Sequence, residues 1–130
     1  MYICRVMNKA LLSIGTNENR EENLALCHDY LNQLFPDITY SITSVTAPYG
    51  TNYKNDFLNQ LAIIYTPKAK EDIIAQLKLV EKKMGRRKKD KETGIVKIDI
   101  DLIMWNDEIL KPTDISRSYI VDLLPSLKEK

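Results

Sequence analysis

Short runs of hydrophobic residues recur along the chain and predict four β-strands. The runs cover residues 10–14, 38–46, 57–66 and 98–105. Turn-forming residues separate most of them, and the second is rich in β-branched side chains, as strands are. None approaches the ~20 consecutive apolar residues that a membrane-spanning helix needs, so we expect no membrane partner.

Two longer segments between the runs carry apolar residues three or four positions apart, which is the period of a helix. The first covers residues 18–35 and ends at Pro36. The second opens with two acids at 71–72 and can close on Gly85 in a left-handed conformation. A short final helix is predicted over 119–124. The two helical stripes consist of Leu24, Cys27, Leu31, Leu34 and Phe35, and of Ile73, Leu77, Val80 and Met84.

The predicted elements follow one another in the order β-α-β-β-α-β. This order is typical of a ferredoxin-like fold, an α+β arrangement in which an antiparallel sheet carries its helices on one face. The chain has 130 residues without repeats or linkers, so we expect a single domain over 1–130. Because this fold supports many unrelated functions, the order of elements does not indicate an activity.

Composition and charge exclude several classes of protein. Hydrophobic residues make up 44% of the chain, enough for a core, and the net charge of +1 provides no field that would attract nucleic acid. Cys4 and Cys27 lie in apolar segments and are expected to be buried thiols. The N-terminus lacks the features of a signal peptide, and Met7 lies just before the first strand, so residues 1–6 are a short extension or reflect a later start. We expect a cytoplasmic monomer.

Two carboxylates, Asp99 and Asp101, alternate with apolar residues in the last strand. Side chains alternate between the faces of a strand, so the two acids share one face with Cα atoms about 7 Å apart. Ile98, Ile100 and Leu102 then point to the core. One interpretation is a solvated polar face. The other is a clamp for Mg²⁺ beside substrate phosphates, because hard cations prefer carboxylate ligands.

A basic segment, residues 82–91, precedes this strand and contains seven lysines and arginines and one acid. Such a segment is often only a solvated loop. Beside a metal-binding strand, its cations would suit a polyphosphate, because a transferred phosphoryl group needs positive partners. The chain has no GxxxxGK[ST] loop, and we interpret its single histidine, His28, as structural. No CxxC or HxxxH spacing indicates zinc.

Four segments occur in order along the chain: "SIGTN" at 13–17, "TAPYGTNYKNDFLN" at 46–59, a glutamate at 81 followed by "GR" at 85–86, and "IDIDLI" at 98–103. Together they resemble the 6-hydroxymethyl-7,8-dihydropterin pyrophosphokinase family of the folate pathway. The resemblance covers roughly residues 10–124 and suggests a divergent member with a short C-terminus. It implies that two Mg²⁺ ions assist the transfer of pyrophosphate from ATP to the hydroxymethyl group of the pterin.

The resemblance also implies roles for individual residues. Asp99 and Asp101 would hold both Mg²⁺ ions, and Arg86 would contact the transferred phosphates, so these three are the expected catalytic residues. The expected partners are the pterin and ATP, both small molecules, and no nucleic acid. For two of the pterin residues, Phe57 and Tyr119, an ordinary place in the core is the alternative. The remaining roles are pterin binding by Thr46, Tyr49, Phe57, Asn59 and Tyr119, and nucleotide binding by Glu81, Lys97 and Arg117.

Some family positions differ in this chain. Where the family has R-W-G-P-R before its acidic strand, residues 92–96 are "ETGIV", so Thr93 replaces the tryptophan that covers the pterin and Val96 replaces an arginine. The adjacent Lys97 cannot grip phosphate bidentately as an arginine does. The family's P-H is also absent from "KPTDISR" at 111–117.

Three interpretations of function therefore stay open. The first is a pyrophosphokinase with reduced activity, and the second is a non-catalytic relative that binds pterin or nucleotide. The intact acid pair, Arg86 and Asn59 favour the first, whereas the altered residues Thr93 and Val96 favour the second. The third, an RNA-binding domain, fits least well, because the chain lacks the aromatic strand pattern of such domains and has little net charge.

Overall fold

The computed structural model contains the strands and helices in the order that the hydrophobic pattern predicts. It describes residues 7–48, 55–112 and 117–128. Strands β2 and β3 have the predicted bounds, whereas the two-residue strand β5 is not predicted. The elements are β1 (Asn8–Thr16), α1 (Arg20–Leu34), β2 (Ile38–Thr46), β3 (Phe57–Thr66), α2 (Lys70–Lys83), β4 (Asp99–Trp105), β5 (Glu108–Ile109) and α3 (Ser118–Leu123), with short 3₁₀ helices at Lys88–Thr93 and Leu124–Ser126.

The five strands form one antiparallel sheet with the spatial order β2-β3-β1-β4-β5. The register places Gly15 of β1 between Asn59 of β3 and Asp99 of β4. Two residues earlier, Ser13 lies opposite Asp101. Because side chains on one face repeat every second residue, the pairing brings residues from three distant segments to one end of one face.

Helices α1 and α2 cover one face of the sheet, as predicted. Alternate residues of β1 and β4 point to this face, and the two helical stripes pack on them. Fully burying one such side chain contributes about 1.5–3 kcal/mol, so this cluster is a main source of stability. Its buried residues include Ala10, Leu12, Ile14, Ile100 and Leu102 of the strands, Ile98 just before β4, and Leu24, Cys27, Leu31, Ile73, Leu77 and Val80 of the helices.

The opposite face of the sheet is also buried, and here the expectation that all helices pack on one face is wrong. Helix α3 contributes Ile120 and Leu123 to a second hydrophobic cluster on this face. The physical reason lies in the central strands β1 and β3, which are apolar on both faces and require a cover on each. The sheet residues of this cluster are Leu11, Leu61, Ile63 and Ile103.

The glycine cap after α2 and the buried thiol of Cys27 are both present as the sequence predicts. Gly85 follows α2 with φ of 92°, the left-handed conformation that closes a helix. Cys27 is buried, and this burial, followed by the nearby charge of Glu81, raises the pKa of its thiol to about 12. The thiol therefore stays protonated and unreactive. Cys4 lies outside the described residues. No helix within the described ranges is long and apolar enough to span a bilayer.

We predict that α3 is a structural cover whose buried residues stabilise the whole fold. Ile120 is fully buried and its neighbour Val121 is exposed. Ile120→Ala should therefore lower the free energy of unfolding by about 2–4 kcal/mol, through lost burial and an unfilled cavity. Val121→Ala should change it by less than about 0.5 kcal/mol. Urea denaturation measures both, and equal small effects would show that α3 does not cover the sheet.

Candidate functional site

Strand β4 places the carboxylates of Asp99 and Asp101 on the same side of the sheet, as the alternation predicts. Their side chains are 38% and 30% exposed, so neither is fully solvated. Each accepts a hydrogen bond from a different cation, Arg86 for Asp99 and Lys111 for Asp101. Burial, followed by the negative charge of Asp99, raises the pKa of Asp101 above its ordinary value. A simple solvated polar face does not describe this pair.

Arg86 connects the end of α2 to the acid pair. Its Nη1 donates to Glu81 Oε2 and to Asp99 Oδ1, both at 2.8 Å, and lies 3.3 Å from the carbonyl oxygen of Ile98. Burial by itself would lower the pKa of Arg86, but the hydrogen bond and charge of Asp99, together with Glu81, raise it. The guanidinium is therefore permanently charged and shared between two carboxylates.

Glu81 completes this connection at the edge of the sheet. Its Oε2 accepts a hydrogen bond of 2.7 Å from the backbone N–H of Ile100. Strand β5 pairs only with Met104 and Trp105, so the outer edge of β4 near Ile100 has no strand partner in the described sheet. Glu81 and Arg86 therefore satisfy backbone groups that would otherwise need water, and they hold β4 against α2.

Lys111 is a site residue that the sequence pattern does not predict. Its Nζ lies 3.2 Å from Asp101 Oδ1. The chain reaches this position because it reverses at Asn106, which has a φ of 52°, and returns through β5 beside β4. The Asn106-Asp107 pair favours a tight turn after β4, but it does not indicate that the chain returns beside Asp101.

A cavity of about 370 Å³ lies beside Asp101, between α2 and the outer edge of β4. Three lysines line it, Lys70, Lys78 and Lys111, and apolar side chains such as Leu77 and Leu102 form its walls. This combination of cations and apolar walls suits an organic anion. A larger cavity of about 550 Å³, with Lys9 and Asn106 in its lining, contains none of the predicted site residues.

On the other side of the acid pair, three predicted pterin residues come together near Gly15. Asn59 is buried and its Nδ2 donates to Thr46 Oγ1 at 2.7 Å. A Cβ atom at Gly15 would lie 3.5 Å from Asn59 Oδ1 and 3.6 Å from Cδ1 of Phe57. Because residue 15 has no side chain, a space remains beside the Asn59 amide and the Phe57 ring. Tyr49 lies outside the described residues.

The remaining predicted residues, Tyr119, Lys97 and Arg117, make contacts in three different parts of the structure. The Tyr119 hydroxyl is 3.5 Å from Ser13 Oγ, and Ser13 lies opposite Asp101 in the sheet. Lys97 donates to the carbonyl oxygen of Gly85 at 3.2 Å, so its Nζ supports the turn after α2. Arg117 precedes α3, and its carbonyl accepts the first hydrogen bonds of that helix.

The segment that contains Thr93 and Val96 is folded against β1. Asn17 holds it: Nδ2 donates to the Gly94 carbonyl at 2.9 Å, and Oδ1 accepts from the backbone N–H of Val96 at 2.6 Å. The Val96 side chain is only 8% exposed. Thr93 donates its hydroxyl hydrogen to the carbonyl of Asp90. Val96 is thus a scaffold residue, and an arginine at this position would bury a charge.

The acid pair fits Mg²⁺ as a partial ligand set. Among the residues in the described ranges, no group of three or more histidine, cysteine, aspartate or glutamate side chains is arranged to hold a metal ion. Mg²⁺ does not need such a group, because it is commonly held by one or two carboxylates, water and the phosphates of a substrate. Asp99 and Asp101 on a rigid strand match that requirement.

The family described as 7,8-dihydro-6-hydroxymethylpterin-pyrophosphokinase matches residues 11–129 of the chain. A relative from Helicobacter pylori (strain ATCC 700392 / 26695), 2-amino-4-hydroxy-6-hydroxymethyldihydropteridine pyrophosphokinase, is 26% identical over 117 residues. The aligned region covers 84% of this chain and 69% of the relative.

One solved structure, a dinuclear metal-binding M20-family peptidase from Bacillus subtilis, is similar over 79% of this chain at 13% identity and a TM-score of 0.36. The chain spans only 26% of that peptidase. This similarity is too low to support an argument about fold or function.

We predict that Glu81 makes the fold less stable as the pH rises towards neutrality. Burial, which outweighs the contacts with Ile100 and Arg86, raises its pKa from 4.5 to about 7. Between these two values the folded state keeps a proton that the unfolded state has lost, so stability falls as the pH rises through this window. In Glu81→Gln the free energy of unfolding should fall less between pH 4.5 and 7 than in the wild type.

The matched control is Glu71→Gln, because Glu71 lies exposed on the same helix. Urea denaturation at several pH values measures the slope for each protein. Glu71→Gln should keep the wild-type slope, and an unchanged slope in Glu81→Gln would contradict the raised pKa.

Proposed function

The chain belongs to the 7,8-dihydro-6-hydroxymethylpterin-pyrophosphokinase family, and on that premise we propose that it transfers pyrophosphate from ATP to 6-hydroxymethyl-7,8-dihydropterin. The hydroxymethyl oxygen bonds to the β-phosphorus of ATP while the bond from that phosphorus to the α,β-bridging oxygen breaks. AMP leaves with the bridging oxygen, and the hydroxyl proton goes to solvent. The observation that carries the proposal is the acid pair of β4, which lies between the open space at Gly15 and the lysine-lined cavity.

In this proposal Asp99 and Asp101 would hold two Mg²⁺ ions. Bound Mg²⁺ would neutralise the phosphates and orient the reacting oxygens. The contribution of the chain is a rigid strand that keeps two carboxylates on one face, next to both proposed substrate spaces.

Arg86 contacts the transferred phosphates, and Glu81 positions it. A guanidinium can donate two parallel hydrogen bonds to phosphate oxygens, and its charge does not vary with pH. The contact with Glu81 at 2.8 Å holds Arg86 next to Asp99 before any substrate arrives. Pre-organisation of this kind reduces the reorganisation needed when charge develops on the transferred group.

The nucleotide occupies the cavity between α2 and β4. Its lysines suit the phosphates, and its apolar walls suit the flat base. The family resemblance also assigns Lys97 and Arg117 to the nucleotide, but neither lines this cavity, so they would act outside it. The cavity lies close to the acid pair because Asp101 belongs to both.

The pterin occupies the space at Gly15. The Asn59 amide carries both a donor and an acceptor, as the edge of a pterin does. The contact from Asn59 Nδ2 to Thr46 orients that amide, so that Oδ1 faces Gly15. Phe57 and Tyr119 provide aromatic surface for a flat ring. Tyr49 has the same role in the proposal.

The fold itself is ferredoxin-like in this proposal. The first four strands have the spatial order β2-β3-β1-β4, and helices follow β1 and β3 along the chain. An antiparallel sheet built from two split β-α-β units has this arrangement. This spatial order of the strands supports the proposal because it places β1 between the pterin strand β3 and the metal strand β4.

The transfer is slower than in relatives that carry an aromatic and a cationic cover. Thr93 has no ring to exclude water from a bound pterin, and Val96 is buried against Asn17 and provides no charge. The same observation supports the second candidate, a relative that binds its ligands without turnover. The two differ in one outcome, the release of AMP.

We predict that the acid pair is required for the reaction, and that variants of either acid still fold. Asp99→Asn and Asp101→Asn should each lower the rate of AMP release by about 10²-fold or more, because an amide holds a divalent cation poorly. Asp107→Asn, in the exposed turn before β5, should retain the wild-type rate. AMP is measured by chromatography, with unfolding curves as a check of structure. Full activity in either acid-pair variant would disprove the clamp, and wild-type ligand binding without AMP would favour the second candidate.

A second prediction concerns the space at Gly15. The 3.5 and 3.6 Å contacts of an added Cβ are ordinary van der Waals distances, so the fold should accept Gly15→Ala, and an unfolding curve checks that Gly15→Val also folds. The branched side chain would fill the proposed pterin space and should weaken pterin binding by at least about tenfold. Gly15→Ala should have a smaller effect. Calorimetry with hydroxymethylpterin measures both, and unchanged affinity in the valine variant would place the pterin elsewhere.

A further inference from the structure

The two carboxylates of the acid pair are paired with cations that differ in exposure and in the length of the contact. Arg86 is held by Glu81 as well as by Asp99, and its side chain is 25% exposed. Lys111 lies after the short strand β5, and its side chain is 45% exposed. Its ammonium is 3.2 Å from Asp101, a longer contact than the 2.8 Å from Arg86 to Asp99. Asp101 therefore has the partner that is easier to displace.

Lys111 also lines the cavity proposed for the nucleotide, and so does Asp101. The flexible four-carbon stem of a lysine lets its ammonium move several ångströms while the backbone stays in place. An anion in the cavity would thus compete with Asp101 for the ammonium. A divalent cation at Asp101 would compete with the ammonium for the carboxylate. Both ligands act on the same ion pair.

We propose that Lys111 exchanges partners: it neutralises Asp101 in the free protein and binds the nucleotide phosphates when metal and nucleotide are bound. The proposal rests on the proposed function, since it assigns the nucleotide to this cavity. Lys111 is then a phosphate-binding residue of this chain, and the cationic charge that residues 92–96 do not provide comes in part from this residue, which follows β5.

The exchange has a consequence for binding order. Metal alone must displace Lys111 from Asp101 and leave the ammonium without that carboxylate, so metal alone binds weakly. Nucleotide offers the ammonium a new anionic partner at the moment when metal takes the carboxylate. Metal and nucleotide therefore bind cooperatively. Metal takes the carboxylate that holds the ammonium away from the nucleotide, and nucleotide takes the ammonium that holds the carboxylate away from the metal.

The test compares Lys111→Met with Lys70→Met. Both substitutions remove one positive charge from the same cavity and keep a long side chain, but Lys70 is paired with Glu108 at 3.1 Å and not with Asp101. Binding of Mn²⁺ alone is followed by electron paramagnetic resonance. Binding of α,β-methylene ATP, which cannot release AMP, is followed by calorimetry at fixed Mn²⁺. Lys111→Arg retains the charge and serves as the rescue variant.

Lys111→Met should bind Mn²⁺ alone about three- to tenfold more tightly and the analogue with Mn²⁺ about tenfold more weakly. Lys70→Met should show a much smaller change in Mn²⁺ binding, and Lys111→Arg should recover binding of the analogue. Equal changes in the two methionine variants would show a general charge effect and overturn the exchange. Weaker binding of both ligands in Lys111→Met would also overturn it. If the wild type binds no analogue and releases no AMP, the proposed function fails instead.

Discussion

The arrangement of the site depends on one guanidinium, that of Arg86, which lies between Glu81 of α2 and Asp99 of β4. Glu81 also accepts the backbone N–H of Ile100, so the contact joins a helix end to the outer edge of the sheet. Removing either carboxylate would leave a half-buried cation with one partner fewer, and removing the cation would leave two close acids unneutralised. The position of the acid pair and the stability of this edge are therefore linked.

The second constraint is the antiparallel pairing of β1 with two different strands. β1 is central, and its residues Ser13 and Gly15 lie between β3 and β4. The polar positions of three strands converge where β1 has its smallest side chains. A small residue at the centre and larger polar residues on each side make a shallow space with a charged border. The proposed reaction requires such a shape, since an acceptor must lie within reach of the metal-bound phosphates.

Much of this molecule follows from local patterns. The period of the apolar residues is sufficient to predict β2, β3 and both long helices, and the glycine after α2 is sufficient to predict its cap. Each of these features depends on neighbours within a few residues. The alternation of acids in β4 is sufficient to place Asp99 and Asp101 on one face. The four motif segments are sufficient to indicate the family. These predictions succeed because they concern periodicity and residue chemistry.

Contacts between distant segments do not follow from the sequence. The approach of Lys111 to Asp101 depends on a two-residue hairpin and a two-residue strand, too short for any period to indicate. The placement of α3 on the second face depends on which faces α1 and α2 already cover. The burial of Val96 depends on Asn17, 79 residues away in the chain. The sequence by itself thus determined the elements, the acid pair and the family. Only the tertiary structure decided which cation meets which carboxylate, because ion pairs form between side chains that packing brings together.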